Sequence, residues 1–148
     1  MRIRTPLPAL EGATTWVNGE PNSSDLQGKV LLVHFWSVSC YICHNVVDQV
    51  NGWRETYGPQ GLQMISIHQP RSPEELDIEA VTKDLHDNMG ITQPCAIDNA
   101  HTIVGRFANE YVPAYYVFGK TGELRHFQAG DKGYERIVKA IERCLGES

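Results

Sequence analysis

Val30-Leu31-Leu32-Val33-His34-Phe35-Trp36 is an apolar run interrupted only at His34. A run this short and dense predicts a strand buried on both faces. The period then changes. Cys43, Val46, Val47, Val50, Trp53 and Tyr57 fall on one stripe of a helix over 41–57, closed by Gly58-Pro59. Leu62–His68 predicts a second strand, followed by a loop from His68 to Pro73. Ser72-Pro73-Glu74-Glu75 has the form of a capping box with proline at the first helical position. Ile78, Val81, Leu85 and Met89 continue that helix to Gly90, with Glu74-Glu75 as its solvated start. Cys95–Ile97 is a short strand and 100–107 a short helix. Strands 114–118 and 123–129 flank the turn Gly119-Lys120-Thr121-Gly122. Tyr134, Ile137, Val138, Ile141, Cys144 and Leu145 mark a last helix. Near the start, Thr14–Glu20 predicts a small hairpin turning at Asn18-Gly19. The alternation of strands and helices is that of an α/β protein, and no repeat or linker divides the 148 residues into more than one domain.

Charge narrows the partners. Lys and Arg total 13 against 18 Asp and Glu, a net charge of −5 without a basic patch. That argues against nucleic acid and anionic membranes as ligands. No apolar stretch approaches the roughly 20 residues a membrane-spanning helix needs. The opening Met1–Pro8 has no apolar signal core. Four cysteines in a chain of this length do not make a disulfide scaffold. The expected location is therefore the reducing cytoplasm, where a Cys-x-x-Cys is catalytic or metal-binding.

Such a pair stands where the strand gives way to the helix, at Cys40-Tyr41-Ile42-Cys43. Cys43 belongs to the buried stripe. Cys40 falls in the first turn, with Ser39 as the expected N-cap and its sulfur facing solvent. A helix N-terminus stabilises an adjacent anion by roughly 0.3–2 kcal/mol. At about 1.36 kcal/mol per unit, that lowers a thiol pKa by up to about 1.5 units from about 8.5. Thiolate is the attacking species in disulfide exchange, so Cys40 is the expected nucleophile and Cys43 the resolving thiol.

Other chemistries fit the spacing less well. Cys40-x-x-Cys43-His44 matches haem attachment, but that chemistry goes with export. A zinc site wants a second ligand pair, whereas Cys95 and Cys144 stand alone and the six histidines show no tight pairing. Neither a metal nor an organic cofactor is expected. Two structural thiols that merely lie near each other remain the bland alternative.

The element order, Val33-His34-Phe35-Trp36 leading to Cys40-x-x-Cys43, and Val112-Pro113 just before a strand together resemble the thioredoxin-fold thiol–disulfide oxidoreductases. The helix and short strand between the second strand and the proline resemble the insertion of the TlpA/ResA-like branch. Down to Tyr111-Val112-Pro113-Ala114-Tyr115-Tyr116-Val117-Phe118, the chain is similar to the soluble YkuV-type thioredoxin-like proteins of bacilli. The likeness spans nearly the whole sequence. It implies a three-layer sandwich: a mixed central sheet flanked by helices, with an N-terminal hairpin extension and a central helix–strand insertion. It also implies a cis Val112-Pro113 bond, with Val112 and Pro113 binding an extended substrate segment beside Cys40.

The departures from the family pattern carry information. Thioredoxins have Trp-Cys-Gly-Pro-Cys. Here Ser39 replaces the tryptophan and Tyr41-Ile42 replace Gly-Pro, so the reduction potential does not carry over. The family's buried acid is His34 here. It is either a proton relay for Cys43 or a neutral core histidine. Glu110, beside the proline loop, is another candidate acid. Trp36 and Tyr41 are expected to offer substrate an apolar contact surface. Cys95, Cys144, Trp53 and Tyr57 are expected in the core, and Trp16 over a sheet edge.

The resemblance implies a monomeric, cytosolic reductant of protein disulfides that works through a mixed disulfide on Cys40. A thioredoxin-reductase-type flavoenzyme would restore its dithiol. A peroxiredoxin shares the fold but needs a threonine shortly before its reactive cysteine, which Ser37-Val38-Ser39 does not supply. A binding module that docks a partner only when oxidised is the non-enzymatic alternative.

Overall fold

The computed structural model describes residues 1–147. Its framework is a six-stranded mixed sheet: β1 (Thr15–Val17), β2 (Val30–Trp36), β3 (Leu62–His68), β4 (Cys95–Ile97), β5 (Ala114–Phe118) and β6 (Leu124–Ala129). The spatial order is β1-β4-β3-β2-β5-β6. β2, β3 and β4 run parallel; β1, β5 and β6 each pair antiparallel with a neighbour. The helices are α1 (Ser23–Leu26), α2 (Tyr41–Tyr57), α3 (Ile78–Asp87), α4 (Thr102–Phe107) and α5 (Tyr134–Leu145). Among the described residues, no helix is long and apolar enough to cross a membrane.

Every residue of β2 is buried, as its unbroken apolar run demands. Alternate side chains feed opposite layers. Leu32 packs with Trp53 of α2 and Ile137 and Ile141 of α5 on one face. Leu31, Val33 and Phe35 pack with Ile103 and Phe107 of α4 on the other. α3 closes the first layer further along, where Val81 and Leu85 meet Trp36, Cys43 and Cys95. Trp53, Tyr57, Cys95 and Cys144 are core residues, as expected.

Two local expectations change. Asn18 and Gly19 do adopt left-handed backbone, at φ 66° and 100°, but no hairpin forms. β1 pairs instead with β4, Trp16 opposite Ala96. The Asn18 side chain secures this, donating to the carbonyls of Ile91 and Gln93 at 3.0 Å each. Ser72 does not cap a helix either. Pro73–Leu76 is a single 3-10 turn, and α3 starts afresh with Asp77 accepting from the Ala80 amide at 3.2 Å. The hairpin between β5 and β6 turns where expected, with Gly122 at φ 80°.

Candidate active site

β2 ends at Trp36, and the chain turns through Ser37-Val38-Ser39 into α2. Cys40 and Cys43 are joined as a disulfide, with Cα atoms 5.2 Å apart. The helix is capped by Cys40, whose Sγ accepts from the Cys43 amide at 3.0 Å. Ser39, the expected cap, is engaged elsewhere. Cys40 was expected to face solvent, yet in the oxidised form it is only 3% exposed against 0% for Cys43. Its side chain packs in the layer that contains Val47, with Val38 and Val112 against it.

The turn is held from behind by polar groups. The Cys40 amide donates to Ser37 O at 3.1 Å. The Ser37 hydroxyl donates to the Gln69 carbonyl. The Val38 amide donates to His68 Nε2 at 3.3 Å, which places the proton of neutral His68 on Nδ1. Burial lowers His68 to about 4, against the opposing pull of Glu75 and Asp84. Its 3.6 Å approach to Glu75 is therefore a contact with a neutral ring near pH 7.

Glu75 was expected at a solvated helix start. It is 4% exposed instead. Its carboxylate accepts from Ser39 N and Ser39 Oγ at 3.0 Å each, Arg71 N at 2.8 Å and Ser72 Oγ at 3.2 Å. Burial pushes Glu75 up, but the hydrogen bonds from Ser39 and Arg71 outweigh it and hold the carboxyl below its ordinary value. On the other side of the turn, His44 Nδ1 donates to Cys40 O at 2.7 Å and Nε2 lies 2.8 Å from Asp84 Oδ2 on α3.

The structure separates the other candidate residues. Trp36 offers substrate no surface: it is 0% exposed, with its indole N–H donating to Cys95 Sγ at 3.4 Å and its ring edge-on to His68 at 4.9 Å. As the last residue of β2 it points into the α2–α3 layer rather than out over the thiols. Burial raises the Cys95 thiol to about 12, keeping it protonated. His34 is buried mid-strand, with Nδ1 3.0 Å from Ser66 Oγ and its ring stacked on Tyr115 at 5.4 Å. Desolvation lowers it to about 3. Glu110 is exposed, and none of the turn's hydrogen bonds described above involves it.

Tyr41 projects into solvent at 78% exposure. Val112 packs against the layer that holds Cys40, and the Val112-Pro113 bond is cis. Tyr111, which the sequence did not single out, stands beside them at 69% exposure. Its carbonyl is held by Asn109 Nδ2 at 2.9 Å, and the same amide reaches Gln69 Oε1 at 2.8 Å. Gln69 thereby ties the proline loop to the redox turn. Among the described residues, no group of three or more His, Cys, Asp or Glu is arranged to hold a metal ion.

Known proteins share this fold. The chain is 45% identical to the thiol-disulfide oxidoreductase YkuV of Bacillus subtilis (strain 168), over 100% of its own length and 99% of that protein. It is 25% identical to the thiol-disulfide oxidoreductase ResA of Bacillus anthracis, covering 80% of this chain and 65% of the relative. A solution structure of a thioredoxin-like protein in its oxidised form superposes with a TM-score of 0.88 at 44% identity, covering 100% of this chain and 99% of the other. The model of the AhpC/TSA family matches residues 3–127. The chain therefore belongs to the AhpC/TSA family of thioredoxin-like proteins, and the disulfide at the head of α2 is that of a thiol–disulfide oxidoreductase.

Proposed function

We propose that the protein reduces disulfides in polypeptide substrates, with Cys40 as nucleophile and Cys43 as resolving thiol. One observation supports this assignment most: the Cys43 amide points at Cys40 Sγ from the first turn of α2, where helix polarity also favours an anion. Cys40 thiolate attacks one sulfur of the substrate disulfide. That S–S bond breaks, a Cys40–substrate disulfide forms, and the departing sulfur takes a proton. Cys43 then loses its proton and attacks Cys40 Sγ, expelling the second substrate thiolate. Two electrons and two protons pass from the dithiol to the substrate, and Cys40–Cys43 is left oxidised.

Tyr41, Val112 and Pro113 are the surfaces on which we place the substrate segment, with exposed Tyr111 alongside. The electrons reside in the cysteine pair itself, so the scheme invokes no organic cofactor or metal. A thioredoxin-reductase-type flavoenzyme in a reducing cytoplasm is the proposed source of electrons, and the protein is proposed to act as a monomer. Neither His34 nor Glu110 receives a proton-relay role: His34 stays neutral near pH 7 and Glu110 lies in solvent.

Trapping tests the scheme. Cys43→Ser should accumulate mixed disulfides with a protein substrate such as insulin, and Cys40→Ser should accumulate none. Trapping through Cys43 instead would reverse the roles. Binding of a partner by the oxidised form without any turnover would favour a docking module, and peroxide turnover would favour a peroxidase.

A further inference from the structure

Glu75 is a buried carboxylate that the exchange chemistry does not consume. It comes from the segment between β3 and α3 and reaches back 36 residues to Ser39, which supplies two of its four donors. Four donors hold it as a carboxylate. Its charge therefore lies against the residue that precedes Cys40, at a site where solvent screens it little.

We propose that Glu75 is a positioning residue of the redox pair that keeps the Cys40 thiol less acidic, and the pair more reducing, than the helix N-terminus alone would make it. Two opposing influences meet at Cys40. The N-terminus of α2 and the Cys43 amide favour the thiolate. Glu75 opposes them as a like charge, held in place by the Ser39 amide and hydroxyl. Thiolate exists only in the reduced protein, so destabilising it shifts the equilibrium toward the disulfide and strengthens the dithiol as an electron donor. Strong oxidants show the converse, a stabilised reduced form.

The surrounding titratable groups leave this role to Glu75. His68 on β3 faces the carboxylate but is held neutral near pH 7 by burial. His44 on α2 is paired with Asp84 on α3 across the turn. Arg71, whose Nε donates to Ser39 Oγ at 3.1 Å, opposes Glu75 as a cation, but it is exposed and solvent screens it more than the buried carboxylate. His34 on β2 is buried against Ser66, and Glu110 lies in solvent before Pro113.

The inference deepens the assignment of Cys40 as nucleophile and rests on it, so the test reads both. The reduced protein is alkylated with iodoacetamide across pH 5–9 and the modified cysteine is mapped by mass. Glu75→Gln keeps the size of the side chain and one acceptor but removes the charge. The Cys40 midpoint should fall by about half a pH unit or more; at a fixed pH below the midpoint that is about three times more thiolate and, since a thiolate's nucleophilicity falls with its pKa, a roughly twofold faster reaction. At a pH above both midpoints, the exchange equilibrium with glutathione should move about threefold toward the reduced form. Glu75→Asp keeps the charge but withdraws it by a methylene, and its midpoint should lie between the other two. If Glu75→Gln does not fold, Glu75→Asp decides alone. A purely structural Glu75 lowers the melting temperature in these variants and leaves the Cys40 midpoint in place, which overturns the inference while Cys40 remains the nucleophile. Labelling of Cys43, Cys95 or Cys144 ahead of Cys40 overturns the nucleophile assignment itself.

Discussion

Behind the Cys40–Cys43 disulfide the chain buries His34, Ser37, His68, Gln69 and Glu75; in front of it Tyr41, Ile42 and Tyr111 stand in solvent. The wall is polar where a core is ordinarily apolar, and the rim is apolar where a surface is ordinarily polar. The wall has to hold a turn whose backbone N–H groups point inward; those of Val38 and Ser39 find no backbone partner among the described residues and are satisfied by the side chains of His68 and Glu75. On the proposed function the rim receives another polypeptide, and that role would keep its apolar area uncovered until a partner arrives. One part of the site is designed for permanence, the other for exchange. Changes to the wall should therefore register in stability and in thiol chemistry, and changes to the rim in substrate affinity.

Acid should attack the wall first and most strongly. Folded His34 and His68 resist protonation down to about 3 and about 4, against an ordinary 6.5. The unfolded chain binds protons at both rings as pH falls below about 6.5, so their stabilisation is complete above that value and is lost below it. Between pH 7 and pH 5 each ring accounts for about 2 kcal/mol. Glu75 adds to the loss only below its ordinary value of 4.5. Urea unfolding of the oxidised protein at the two pH values should show a loss of about 4 kcal/mol. His34→Asn and His68→Asn should each reduce that difference by about half. His34→Asn should leave the pH dependence of mixed-disulfide resolution unchanged. A profile that flattens between pH 6 and 8 would restore His34 as a relay.

Trp36 gives a smaller effect and tests which side of the division it belongs to. Trp36→Phe loses the hydrogen bond to Cys95 and leaves a void beside His68, for a destabilisation of about 2 kcal/mol. Denaturant midpoints at pH 7 measure it. The Michaelis constant for a protein disulfide should hold steady. The opposite result, unchanged stability with weakened substrate binding, would return Trp36 to the rim.

How much of this was legible in the sequence follows from distance along the chain. β2, α2, β3, α5 and the β5–β6 hairpin announce themselves through period and turn residues, because each is specified by neighbours a few positions away. Cys40 and Cys43 stand at a junction of two such periods. The sheet-edge pairing of β1 is not local: Asn18-Gly19 has the backbone of a hairpin turn, and bonds to distant residues, among them those from Asn18 to Ile91 and Gln93 and from the Thr14 amide to Ile97, direct the strand to β4 instead. Glu75 is the sharper case. Two acidic residues after Ser-Pro look solvated, and nothing within ten residues indicates that one of them is enclosed by Ser39. Trp36 shows the same limit in reverse, since its burial depends on α3, which arrives about 45 residues later. Tyr111 carried no signal of its own beyond its place two residues before Pro113.

The rim should respond most gently. Tyr41 follows Cys40 directly and is 78% exposed, with its phenol free of any hydrogen bond to the turn described above. Removing a side chain that buries little surface on folding changes stability by less than about 0.5 kcal/mol. It also leaves the α2 cap in place, because the cap is made by Cys40 Sγ and the Cys43 amide rather than by the tyrosine. Tyr41→Ala should therefore melt with the parent protein and reduce a small disulfide at an undiminished rate. Its loss should appear only when the substrate is long enough to lie across the rim. An aromatic contact of this kind is worth about 1 kcal/mol in an interface, so the Michaelis constant for a protein disulfide should rise about fivefold with little change in turnover. Equal losses on small and protein disulfides would instead make Tyr41 part of the wall's support of the thiols, and the division between wall and rim would fail at the residue beside the nucleophile.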